Sequence, residues 1–146
     1  MWAFRRDKTV HDRWRIPLTI LFYAGKVNGK VRFQKLVFLC LKEENVKSDY
    51  TFDLYKYGPF SLDLASDFQS LISEHELVNV EEIPVPSSEA TLSIYSLTEK
   101  GKKLVQKEIL PKMQEKDRKA VLAVVDRYNN LPLNRVLSYV YEKYVS

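Results

Sequence analysis

The chain has 146 residues, 45% of them hydrophobic and 29% charged, ordinary proportions for one globular domain able to build its own core. Four glycines leave little room for Gly-rich phosphate loops, and a single cysteine, Cys40, excludes an internal disulfide and fits a reducing, cytoplasmic setting. The net charge of +4 is unevenly spread: nine Lys/Arg against two Asp/Glu in residues 1–35, three against eleven in 36–97, and eleven against six in 98–146.

Residues 1–15 read as a polar, basic arm carrying Trp2 and Trp14, without the long apolar run of a signal peptide. The uncharged run Ile16 to Gly25 is too short to span a bilayer and reads as a core helix. Pro17 suits a first turn, so the first helix is expected from Pro17 to Tyr23, stopped at Gly25, with a turn over Val27-Asn28-Gly29-Lys30. A second helix over Val31 to Glu43 has an apolar stripe of Phe33, Leu36, Val37, Cys40 and Leu41, from which Arg32 and Lys35 fall away. Tyr50, Phe52 and Leu54 alternate as in a short strand.

A third helix follows Gly58-Pro59-Phe60, with Ser61 as N-cap, Asp63 in the first turn and Leu64, Ala65, Phe68, Leu71 and Ile72 as its stripe. Strands are expected over Leu77 to Ile83 and Thr91 to Leu97, joined by an extended, proline-containing tip over 84–90. Thr98 caps a fourth helix that Pro111 limits. A fifth carries Ala120, Leu122, Ala123, Val124, Val125 and Tyr128, and a sixth Leu133, Val136, Leu137, Val140, Tyr141 and Tyr144.

The segment Tyr-Ser-Leu-Thr-Glu-Lys-Gly-Lys-Lys-Leu, Tyr95 to Leu104, follows a helix and a hairpin. That order resembles the winged-helix domains of MarR- and PadR-type regulators. Lys30 to Phe38, Tyr55 to Ser61 and Leu137 to Tyr144 resemble the narrower group of YwgA-like proteins and, more distantly, the Panacea-type antitoxin domain. The resemblance implies a mainly α, α+β fold: one domain over 1–146, a winged helix-turn-helix with a two-stranded wing. Its core covers 16–110, with the arm over 1–15 before it and added helices over 111–146. It hands over no catalytic residue and no cofactor.

The residues themselves point away from catalysis. His11, His75 and Cys40 have no metal-ligand spacing, and Cys40 sits on an apolar stripe. Glu43-Glu44 and Glu81-Glu82 are adjacent pairs that diverge, and read as solvated surface. No nucleotide-binding or nucleophile-elbow pattern occurs.

Two binding readings follow, a DNA-binding transcription regulator as the leading one and a protein-binding module as its alternative. As a DNA-binding regulator, the chain would hold double-stranded DNA through Arg5, Arg6, Arg13 and Arg15 of the arm, Lys26, Lys30, Arg32 and Lys35, and Lys100, Lys102, Lys103 and Lys107. Ser66, Gln69, Ser70 and Ser73 would face the bases, although the third helix has four acidic residues and no Lys or Arg. As a protein-binding module, antitoxin- or adaptor-like, it would use Tyr50, Phe52, Tyr55, Tyr57 and Phe60, residues equally able to serve as core. The wide stripe of the last helix suggests a homodimer through Val140, Tyr141 and Tyr144. No membrane partner is expected.

Overall fold

The computed structural model describes residues 2–146, with side chains from Asp12 onward. It is mainly helical with a small antiparallel sheet. The first helix, α1, spans Trp2–Ala24, so residues 2–15 are helical and not a separate arm. Pro17 lies inside α1, where it forfeits a bond to the carbonyl four residues back, a loss of about 3 kcal/mol. Trp14, Ile16, Leu18, Ile20 and Leu21 are buried on both sides of it, each such burial stabilising by roughly 1.5–3 kcal/mol. Packing wins over the local break. The side chains of Trp2, Arg5, Arg6 and His11 lie outside the described residues.

The expected turn after α1 is a short strand, β1 (Val27–Asn28), leading through Gly29 into α2 (Lys30–Lys42). Gly29 holds φ +89 and donates its N–H to the carbonyl of Ser93 at 2.7 Å, a backbone shape that L side chains avoid. Helix α2 is the centre of the molecule. Every residue from Arg32 to Cys40 is buried, because α1, a later hairpin and the two C-terminal helices surround it. The apolar stripe seen in the sequence is therefore only part of its buried surface.

A two-stranded hairpin follows, β2 (Asp53–Tyr55) against β3 (Gly58–Phe60), in place of the single strand expected near Tyr50. Helix α3 (Leu62–Ser73) starts as expected: Ser61 Oγ accepts the Leu64 N–H at 3.2 Å, and Leu64, Phe68 and Leu71 are buried. The long hairpin β4 (Val78–Pro84) and β5 (Thr91–Leu97) pairs Val80 with Tyr95 and Glu81 with Ile94, close to the expected register. Its sheet gains β1 on the far side of β5, giving the order β1-β5-β4.

Thr98 caps α4 (Glu99–Leu104), accepting the Gly101 N–H at 3.0 Å and donating to the Glu76 carbonyl at 2.7 Å. The chain continues through a wide turn at Val105–Ile109 and a tight one at Leu110–Lys112, which holds Pro111 near its start. Helices α5 (Glu115–Tyr128) and α6 (Leu133–Val140), the latter extended by a wide turn over Tyr141–Val145, pack on α1 and α2. Among the described residues no helix is long and apolar enough to cross a membrane.

Candidate functional site

The two sequence blocks that stood out, Lys30 to Phe38 and Tyr55 to Ser61, are joined in space. Gln34 Nε2 donates to the Ser61 carbonyl at 3.0 Å, and the Ser61 N–H donates back to Gln34 Oε1 at 2.9 Å. Lys35 Nζ donates to the Pro59 carbonyl at 2.9 Å. These bonds clamp the β2–β3 hairpin onto α2. Pro59 offers no N–H of its own, and Gly58 at φ +95 turns the chain back after Lys56 and Tyr57. Lys35 is fully buried, and burial holds its pKa down to about 8. A buried ammonium is costly unless it is bonded, so the Pro59 carbonyl fixes both the lysine and the hairpin.

The clamp holds an apolar surface out to solvent. Leu54, Tyr55 and Tyr57 are 65%, 47% and 54% exposed, while Tyr50 is buried and Phe52 and Phe60 are half-buried. The aromatic segment thus divides between core and surface. A hollow of about 380 Å³ separates the hairpin from the outer side of α6, at Leu137, Ser138, Tyr141 and Glu142. A second hollow, of about 230 Å³, lies on the other side, floored by Val31 and the stem of Lys35. Tyr55, Lys56, Tyr57 and Gly58 line both.

Helix α6 is held in place by Glu43, which is anything but a solvated surface carboxylate. Tyr128, Tyr139 and Tyr144 all donate hydroxyls to it, Tyr144 at 2.9 Å, and Lys143 and Arg127 lie 3.4 and 3.6 Å away. Burial alone would raise its pKa, but the three tyrosine hydrogen bonds, helped by Lys143, hold it down at about 2. Phe38 meets Tyr144 edge-on at 5.7 Å, and Tyr128 stacks on Tyr139 at 5.2 Å. Of the residues expected at a dimer contact, Val140 lies in the chain's own core and Tyr144 is spent on Glu43. Tyr141 alone, 56% exposed, faces outward.

Among the described residues, several of the expected basic contacts are engaged within the fold. Arg32 is buried, its Nη1 donating to the carbonyls of Tyr128, Asn129 and Leu131 at the end of α5, where a cation offsets the helix dipole. With Lys35 also buried, neither side chain is presented to a phosphate. Arg13 Nε is 2.7 Å from Asp67 and stacks over the Tyr50 ring, and Arg15 is paired with Asp12 at 2.7 Å. Lys100 donates to the His75 carbonyl at 3.1 Å, and Lys102 pairs with Glu99 at 3.4 Å. Lys26, Lys30, Lys103 and Lys107 are exposed. On α3, Ser66, Gln69 and Ser73 are exposed and Ser70 is half-buried.

Among the described residues no cluster of His, Cys, Asp or Glu is placed to hold a metal ion. Cys40 is buried, and burial pushes its thiol pKa up, away from the reactive thiolate. Sequence reasoning missed Arg32, Gln34, Lys35 and Glu43 as anchors. For Gln34 and Lys35 the signal was the pair of motifs itself, because polar residues inside an apolar helix need partners and Tyr55 to Ser61 supplies three bonding groups, whereas Arg32 and Glu43 are held by residues 128–144. Comparison of the chain with family models, with curated proteins and with solved structures gives no match.

Proposed function

We propose that this chain is a non-enzymatic protein-binding module on a winged-helix scaffold, and that its contact surface is the β2–β3 hairpin with the outer face of α6. The scaffold reading is supported by the element order helix, strand, helix, helix, hairpin, into which the β2–β3 hairpin is inserted between α2 and α3, and by β1 lying beside β5 as a third strand. In that reading β4–β5 is the wing. The contact surface is carried by one observation: Leu54, Tyr55, Tyr57 and Tyr141 stand exposed around two hollows on a rigidly clamped support. Exposed tyrosines at concave apolar ground suit a protein partner.

The duplex-DNA reading is weakened by the fate of its cations. Arg32 and Lys35 are inside, Arg13 and Arg15 are each paired with an aspartate, and α3 keeps no basic residue of its own. Of the expected cations, this leaves Lys26, Lys30, Lys103 and Lys107 exposed with no ion pair or side-chain hydrogen bond among the described residues. Phosphate contacts supply most non-specific affinity, so random duplex DNA at low salt should show no saturable binding by fluorescence anisotropy. Saturable binding with a steep salt dependence overturns the module reading in favour of a DNA-binding regulator.

A further inference from the structure

Resting on the reading of the hairpin and α6 as a contact surface, we propose that its partner is the same surface on a second copy of this chain. The two copies meet about a two-fold axis, and the hairpin end of each lies in the hollow between the hairpin and α6 of the other.

The surface carries both a ridge and the ground that receives one. Tyr55, Lys56, Tyr57 and Gly58 line both hollows, so the end of the β2–β3 hairpin stands between them as a ridge. The larger hollow, of about 380 Å³, is walled on its far side by Leu137, Ser138, Tyr141 and Glu142. A two-fold rotation sets two such surfaces face to face with each ridge in the other's groove, which is the self-complementarity that a closed, symmetric contact needs. Leu54, Tyr55 and Tyr57 of one copy then cover Tyr141 of the other, and apolar ground that meets water in the monomer is buried in the pair. Both walls are fixed beforehand, the hairpin by Gln34 and Lys35 and α6 by Glu43, so little ordering entropy is lost on docking.

Charge favours a copy of the same surface over a partner of one sign. The charged side chains that line the two hollows are Lys35, Lys56 and Glu142. Lys35 is buried and bonded to Pro59, whereas Lys56 and Glu142 are exposed, and neither forms an ion pair among the described residues. Asp53 stands at the base of the hairpin, opposite Phe60 in the ladder, and lines neither hollow. A uniformly acidic partner sets its charge against Glu142, and a uniformly basic one against Lys56. The two-fold copy carries both signs. It brings each Lys56 into the hollow where the other copy's Glu142 stands, so one contact gains two ion pairs and leaves neither group facing its own kind.

Sedimentation velocity on the full chain across the micromolar to millimolar range tests this. The wild type should form a dimer and nothing larger, with less dimer as salt rises. Lys56→Glu and Glu142→Lys, both at exposed positions, should each weaken dimerisation by about tenfold or more with unchanged thermal melting. An equimolar mixture of the two variants should dimerise as the wild type does, because both ion pairs of the mixed dimer then join opposite charges. The double variant should dimerise with itself but not with the wild type, since that mixed pair sets lysine on lysine and glutamate on glutamate. A monomer at every concentration overturns the proposal. So does association that ignores the single variants, or a mixture of them that fails to recover. The DNA assay separates this from the reading beneath it: duplex binding defeats the module reading, whereas a monomer that ignores DNA defeats the two-fold contact alone.

Discussion

Gly101→Ala should destabilise the chain by about 3 kcal/mol, lowering the melting temperature by roughly 10 °C. Inside a helix, alanine is normally the better residue by about 1 kcal/mol, so propensity alone predicts the opposite sign. Packing decides it. A Cβ on Gly101 would stand 2.2 Å from the Leu77 carbonyl oxygen and 3.2 Å from a Leu97 methyl. That oxygen accepts the Thr98 N–H at 3.0 Å, and Thr98 in turn caps α4. The carbonyl belongs to backbone tied on both sides, so it has nowhere to go. The glycine of Leu-Thr-x-x-Gly is thus the point where α4 touches the start of β4. Calorimetry on the variant checks the sign, and a raised melting temperature would show that the two segments are free to separate.

Glu43→Ala should cost about 3 kcal/mol in urea denaturation, because it leaves the hydroxyls of Tyr128, Tyr139 and Tyr144 without their acceptor. The carboxylate also makes stability depend on pH. Its pKa is about 2 in the fold against an ordinary 4.5, so the charged form is favoured by folding. The stabilisation is fully present above about pH 4.5 and is lost as pH falls towards 2, about 3 kcal/mol in all. Between those values the urea midpoint of the wild type should fall more steeply than that of Glu43→Gln. Parallel profiles would mean that the tyrosines do not hold the carboxylate in solution. Since Glu43 fixes α6 against α2, its loss should also blur the hollow beside Tyr141.

Local chemistry was legible where a short-range rule decides the structure. Ser61 and Thr98 cap their helices, and alternation over 77–83 and 91–97 placed the long hairpin within a residue of its register. The rules failed where distant packing decides. Pro17 reads as a beginning, yet burial of Trp14 and Ile16 carries α1 past it. Val27 and Asn28 read as a turn, because only the presence of β5 makes them a strand. Arg32 and Lys35 fall off an apolar stripe and so read as exposed, although α2 is enclosed on every side. Glu43 looked like half of a solvated pair, since its three tyrosines lie 85 to 101 residues further along the chain.

The consequence for the contact surface is the same. Tyr55 and Tyr57 could be placed in a Gly-Pro-rich segment, but only the clamp from Gln34 and Lys35 shows why they point outward. Their surface becomes a concave one because α6 stands opposite, and α6 stands there because Glu43 holds it.

Amide NMR on a dilution series of the full chain tests the assignment of that surface most directly. Signals of residues 53–58 and 137–142 should move together with concentration, while those of Ser66, Gln69 and Ser73 on α3 stay still, with and without random duplex DNA. Shifts confined to α3 on adding DNA, with the hairpin unmoved at every concentration, would contradict it.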